Sequence, residues 1–116
     1  MLRRSSLALA VTSAFLMAGS AIAAEPIVGK WKTQAGANAT IASCGSSYCI
    51  KLTSGKYAGK QIGKVKGSGK NYKGKITDPA KDKTYTGKAA VTGNKMKMSG
   101  CVLGGLICQS QTWTRR

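Results

Sequence analysis

Histidine is absent from this 116-residue sequence, and acidic residues are nearly absent: only Glu25, Asp78 and Asp82 occur. The commonest general base and metal ligand is therefore missing. Asp78 and Asp82 lie close together in one polar segment, so no separated pair of carboxylates is available to flank a substrate. The serines have no histidine partner. We therefore predict that the chain is not an enzyme, with no catalytic residue, no metal site and no cofactor.

Long apolar runs are also missing, except for one at the N-terminus. Arg3 and Arg4 precede an apolar stretch from Leu7 to Met17, and Ala21-Ile22-Ala23 follows. This order is typical of a secretory signal peptide, and the run is too short for a bilayer-spanning helix. We predict a signal peptide over residues 1–23 and a single domain over 24–116. The mature chain is expected to be periplasmic or secreted, monomeric, and without a transmembrane segment.

Lysine dominates the charge of the chain, which is +16 overall. Removing residues 1–23 with their two arginines leaves 93 residues and a net charge of +14. The mature part has arginine only at Arg115 and Arg116, whereas base recognition usually relies on arginine. We therefore expect no specific nucleic-acid partner. The lysines predict a solvated cationic surface, and anionic envelope polymers or lipid headgroups are candidate partners.

Polar and apolar residues alternate through most of the mature chain. In the segment 71–76, Tyr72 and Ile76 fall on one side and Lys73 and Lys75 on the other. Because successive side chains of a strand point to opposite faces, this pattern predicts an apolar interior and a lysine-coated exterior. The lysines assigned to the outer face are Lys51, Lys64, Lys66, Lys73, Lys75, Lys88, Lys95 and Lys97.

Short turns rich in glycine divide the chain into about eight strands. They are predicted near 27–34, 38–44, 48–54, 60–66, 71–77, 83–91, 95–101 and 108–115. A Gly93-Asn94 pair is a two-residue hairpin signal. The fold class predicted is all-β, a small antiparallel up-and-down barrel of about eight strands, because closure removes exposed strand edges.

The interior of this barrel is predicted to include small residues, among them Gly74, Gly87 and Ala89. They leave two interpretations open. The barrel could hold a modest cavity, or it could be tightly coiled with the Met96 and Met98 side chains filling its centre. Residues that would line a cavity are Tyr72, Ile76, Tyr85, Met96 and Met98.

Four cysteines lie in the predicted mature chain and allow three pairings. We predict the local pairs Cys44–Cys49 and Cys101–Cys108, because each brackets a short segment that resembles a hairpin tip. Disulfides are expected in an exported domain too small for a large core. The spacings do not fit a zinc site or a Cys-x-x-Cys redox motif.

Two tryptophan motifs stand at the ends of the predicted barrel: Gly29-Lys30-Trp31 opens the first predicted strand, and Trp113-Thr114-Arg115 ends the last. Together they resemble the lipocalin and calycin pattern. In that superfamily a basic residue near the chain end packs across the indole of the opening Gly-x-Trp motif. The resemblance implies a barrel closure that involves Gly29, Trp31, Trp113 and Arg115, with Arg115 over the Trp31 indole.

A further set of motifs runs through most of the mature chain. In order, they are Trp31-Lys32-Thr33, Cys44-Gly45 with Cys49, Gly74 to Pro79, Lys83 to Gly87, Gly100 to Cys108, and Gln111 to Arg115. This series is similar to that of DUF2147, a family of exported bacterial proteins. The resemblance implies a lipocalin-like barrel, and no biochemical activity is established for the family as a whole. Many members carry a longer central segment where this chain has only Tyr57–Gly63.

The function expected from the barrel and the resemblance is a binding module for a small apolar or amphipathic ligand. The alternative is a cationic envelope or protein-interaction protein with no ligand cavity. It would associate with polyanions, or act like the small exported barrels that inhibit proteases with an N-terminal tail.

Overall fold

A computed structural model describes residues 25–116. The predicted signal peptide, residues 1–23, lies outside the described residues. Eight strands form a closed antiparallel barrel in chain order, with β1 paired to β8, which confirms the predicted fold class. The strands are β1 (Gly29–Lys32), β2 (Asn38–Cys44), β3 (Ser47–Leu52), β4 (Gln61–Ser68), β5 (Asn71–Asp78), β6 (Lys83–Thr92), β7 (Lys95–Val102) and β8 (Ile107–Arg115). Each boundary lies within two residues of the predicted one.

The turns follow from local chemistry. Gly93 and Asn94 join β6 to β7, and Gly93 has a φ of 59°, which glycine adopts without steric cost. In the β5–β6 turn, the Asp78 carboxylate accepts hydrogen bonds from the amides of Ala80 (2.9 Å) and Lys81 (3.4 Å). A short 3-10 turn, Leu103–Gly105, joins β7 to β8.

Along the strands, apolar side chains point into the barrel and lysines point out of it, as predicted. All eight lysines assigned to the outer face are exposed. The largest fully buried side chains inside the barrel come from the N-terminal segment and five strands: Ile27, Trp31, Ile41, Ile50, Val65 and Met96. Burying such side chains stabilises the fold by about 1.5–3 kcal/mol each.

The two disulfides are Cys44–Cys49 and Cys101–Cys108, so the predicted local pairing is confirmed. Cys44 and Cys49 flank the β2–β3 turn. Cys101 and Cys108 face each other across β7 and β8, below the tip of that hairpin. Such crosslinks are compatible with an exported protein. Among residues 25–116 there is no helix long and apolar enough to cross a membrane.

Candidate ligand-binding cleft

The first and last strands pair with each other and so close the sheet into a barrel. Trp31 and Arg115 are direct partners across the β1–β8 pair, and the guanidinium carbon lies 4.1 Å from the centre of the indole ring. Trp31 is completely buried. The contact expected from the lipocalin-like resemblance is therefore present, with a cation over an aromatic face.

Arg115 also holds the segment that precedes β1. Its guanidinium donates hydrogen bonds to the carbonyl oxygens of Val28 (3.2 Å) and Pro26 (2.6 Å). A Cβ on Gly29 would lie only 3.1 Å from the guanidinium, and Gly29 has a φ of 140°. Glycine is therefore required at this position by both the backbone and the arginine.

Residues 25–28 fold across one end of the barrel and seal it. Ile27 is completely buried, and its carbonyl oxygen accepts a hydrogen bond from Trp31 Nε1 at 3.0 Å. Glu25 accepts a hydrogen bond from the Gly69 amide at 3.1 Å and lies 3.4 Å from the Tyr72 hydroxyl. Burial, and then the neighbouring Glu25 carboxylate, raise the pKa of the Tyr72 phenol above its usual range.

The opposite end opens into a cleft of about 510 Å³. This volume lies within the range of about 300–1,000 Å³ that is usual for small-molecule sites. Its apolar wall includes Leu52, Ile62, Ile76, Tyr85 and Met98. The cleft therefore occupies the part of the barrel interior that faces the loops β1–β2, β3–β4, β5–β6 and β7–β8.

Polar groups surround the apolar wall. Gln109 and Gln111 line it from β8, and Asp78 and Lys81 line it from the β5–β6 turn. Gln111 accepts a hydrogen bond at 2.7 Å from the Nε1 of Trp113, which also borders the cleft. An apolar wall with a polar rim fits a ligand that has an apolar body and a polar head.

The inward glycines explain why the interior is partly filled. A Cβ on Gly87 would lie 2.4 Å from Ile76 Cγ1, so the Ile76 side chain occupies the space above Gly87. The Tyr85 ring packs beside Gly100, whose Cβ would lie 3.5–3.6 Å away. Ile76 and Tyr85 thus line the cleft in one half of the interior, while the buried core fills the half at the sealed end, so each interpretation holds in one half.

The candidate cavity residues divide along the barrel axis. Ile76, Tyr85 and Met98 line the cleft. Tyr72 and Met96 do not border it; like Met98 they belong to the buried core, with exposures of 3% and 0%. A cavity-lining role for these two stays a prediction, since alternation identifies inward side chains but not their depth along the axis.

Sequence reasoning missed other cleft residues. Leu52 alternates with Ile50 and was identifiable as inward from the period of β3. Tyr57, in the β3–β4 loop, carries no periodic signal. Trp113 was assigned to the closure alone, whereas it is buried between the closed end and the cleft.

Beside the cleft, β1 and β8 are paired over only a short length. β1 pairs with β8 only at Trp31–Arg115 and Lys32–Thr114. Beyond this point, within residues 25–116, β8 pairs with β7 alone, and the Thr112 amide donates to Gln34 Oε1 at 2.8 Å. The short first strand therefore leaves residues 107–113 of β8 without a partner on β1.

The fold and its closure define a small, lipocalin-like β-barrel. A family model described as an uncharacterised protein conserved in bacteria, DUF2147, matches residues 56–115. This match covers more than half of the sequence, and the chain belongs to that family, as the sequence motifs predicted. Comparisons with curated proteins and with solved structures found no significant match.

Proposed function

We propose that this protein is a binding module for a small amphipathic ligand, whose apolar part enters the cleft and whose polar head stays at the rim. The observation that carries the proposal is the cleft of about 510 Å³ in a barrel whose other end is sealed. Burial of an apolar chain against Leu52, Ile62 and Met98 would supply the affinity. The proposed role is binding alone, without a chemical reaction in the cleft.

The rim indicates the chemistry of the polar head. Lys81 can attract a negative head group, and Gln109 and Gln111 can donate or accept hydrogen bonds. Asp78 already accepts two amide hydrogen bonds in its own turn. A monoanionic amphiphile such as a fatty acid therefore suits the site better than a cationic one.

The alternative with no ligand cavity is less well supported, because the cleft is large enough for a ligand. Residues 25–28 are engaged in sealing the barrel through Ile27 and the Arg115 hydrogen bonds. These residues therefore give no support to a protruding inhibitory tail.

Titration with dodecanoate, followed by calorimetry, tests the proposal. Gly100→Leu should abolish binding, since the new side chain would extend beside Tyr85 into the cleft. Thr112→Leu is the matched control, because it adds a leucine at an exposed β8 position outside the cleft lining. Native mass spectrometry of protein purified from its own periplasm would identify a co-purifying ligand. Equal dodecanoate binding by both variants would contradict the cleft as the site.

A further inference from the structure

The tip of the β7–β8 hairpin exposes a group of large apolar side chains. Leu106 is 84% exposed and Leu103 is 68% exposed. Within residues 25–116, all exposed large hydrophobic side chains belong to this group, which we call the apolar tip: Val102, Leu103, Leu106 and Ile107. A contiguous apolar patch on an otherwise charged surface is typical of an interaction site.

The backbone holds this tip in an unusual conformation. Leu103 has a φ of 53°, a left-handed conformation that is uncommon for a bulky residue and is often found at functional sites. The Cys101–Cys108 disulfide closes the base of the loop, and the Leu106 amide donates to the Leu103 carbonyl oxygen at 3.3 Å. The exposed leucines are therefore presented by a constrained turn.

A row of lysines on the outer face leads to this tip. Lys66 on β4 pairs directly with Lys73 on β5, which pairs directly with Lys88 on β6. We call these three residues the lysine ladder; all are exposed and, with Lys97, they line a surface groove of about 390 Å³. Like charges directly opposite each other destabilise a sheet, so the arrangement costs stability.

The ladder and the tip are adjacent. The Lys88 ammonium lies 4.0 Å from the position that a Cβ on Gly105 would occupy, in the turn between Leu103 and Leu106. One ladder lysine therefore adjoins the turn that presents the exposed leucines, and the other two continue from it across β5 and β4. This combination is complementary to a bilayer surface, where phosphates lie above acyl chains.

We propose that the apolar tip and the lysine ladder together dock this protein on an anionic lipid bilayer. Leu103 and Leu106 enter the headgroup region, and the ladder lysines contact lipid phosphates. A dissolved polyanion would use the lysines but would gain nothing from the leucines, so the tip favours a bilayer. This docking goes beyond the proposed ligand binding and does not depend on an occupied cleft.

Co-sedimentation with vesicles of phosphatidylglycerol and phosphatidylcholine, compared with phosphatidylcholine alone, tests the proposal on the mature protein. Leu103→Asn combined with Leu106→Ser should lower the partition coefficient by about tenfold or more, because it removes the apolar contribution. Asparagine tolerates a positive φ, so the turn should persist. Unchanged partitioning would overturn the proposal.

Two matched double variants test which face of the barrel binds the bilayer. Lys73→Gln with Lys88→Gln should weaken binding to the anionic vesicles several-fold more than Lys30→Gln with Lys51→Gln. The control lysines are exposed on the opposite wall, where both pair with Thr40. Equal losses from both pairs would show adsorption by net charge alone and contradict a defined docking face.

Leu106→Trp gives a direct reading of insertion. Its indole emission should shift to the blue on anionic vesicles, against the constant background of the buried Trp31 and Trp113. No shift would refute insertion, and a concentration-dependent shift without vesicles would instead indicate a second copy on the tip. Gly100→Leu should keep vesicle binding even if it loses dodecanoate, so the two proposals can fail separately.

Discussion

The guanidinium carbon of Arg115, at the end of the last strand, lies 4.1 Å from the ring centre of Trp31 in the first strand. The same guanidinium donates to Val28 and Pro26, so one side chain joins the last strand, the first strand and the segment before it. Closure of the barrel therefore depends on a residue that is 84 positions away in the sequence.

Arg115→Ala should lower the free energy of unfolding by about 1–3 kcal/mol. The cation–π contact contributes about 0.5–2 kcal/mol, and the lost hydrogen bonds add to this. Chemical denaturation followed by tryptophan fluorescence measures the change. Arg115→Lys is the control: it keeps the charge but not the planar fork, so it should recover only part of the loss. Wild-type stability in Arg115→Ala would mean that closure does not depend on this contact.

Tyr72 should make stability depend on pH in alkaline solution. The folded protein raises the pKa of the phenol, so the native state retains a proton that the unfolded chain releases. The free energy of unfolding should therefore fall as the pH rises through about 10, the usual pKa of tyrosine. In Tyr72→Phe this part of the decline should disappear.

At neutral pH the same variant loses the hydrogen bond from the Tyr72 hydroxyl to the Gly69 carbonyl oxygen, 3.0 Å long. Tyr72→Phe should then be less stable than the wild type by about 0.5–1.5 kcal/mol. The two proteins should converge in stability as the pH rises. Parallel curves, with a constant difference up to the alkaline limit, would disprove the assignment.

Gly87 and Ile76 should be energetically coupled. Gly87→Ala places a methyl group 2.4 Å from Ile76 Cγ1, and overpacking of this kind costs about 1–3 kcal/mol. In an Ile76→Ala background the methyl group has room, so the cost should be smaller. A double-mutant cycle by urea denaturation measures the coupling. Additive effects would mean that Ile76 does not occupy the space above Gly87.

Removing either disulfide should lower the stability of the protein by a similar amount, but the two removals should differ in their effect on local hydrogen exchange. Replacing either pair by serines should cost roughly 2 kcal/mol, because both close short loops. Only Cys101→Ser with Cys108→Ser should increase hydrogen exchange at the Leu106 amide, which belongs to the turn those cysteines close. The pair Cys44→Ser and Cys49→Ser is the control. Faster exchange at Leu106 in the control would show that the tip is not held by its own disulfide.

Much of the fold could be predicted because its signals are local. The alternation of Tyr72, Lys73 and Ile76 assigns faces within one strand, and the Gly93-Asn94 pair specifies a tight turn. The cysteine pairs also lie within single hairpins, so their partners were identifiable without knowledge of the whole barrel. The β1–β8 contact is not local; it was expected from the resemblance of two motifs to a known superfamily.

The cleft could be predicted only in part. Tyr72 and Met98 both point inward and are equally buried, at 3% exposure, yet only Met98 borders the cleft. Their depth depends on the tilt of the strands and on the stagger between them, which a single strand does not encode. The location of Tyr57 depends on how the β3–β4 loop folds back over the barrel.

The faces of the strands, the turns, the lysine exterior and the local disulfides all follow from the amino-acid sequence alone, because each depends on neighbouring residues. Which half of the interior is filled depends on contacts between distant segments. Ile27 folds under Trp31 at the sealed end, whereas Ile76 lies over Gly87 in the wall of the cleft. The tertiary structure also decided that Lys88 meets the apolar tip, since the stagger of β6 against β7 and β8 brings these distant residues together.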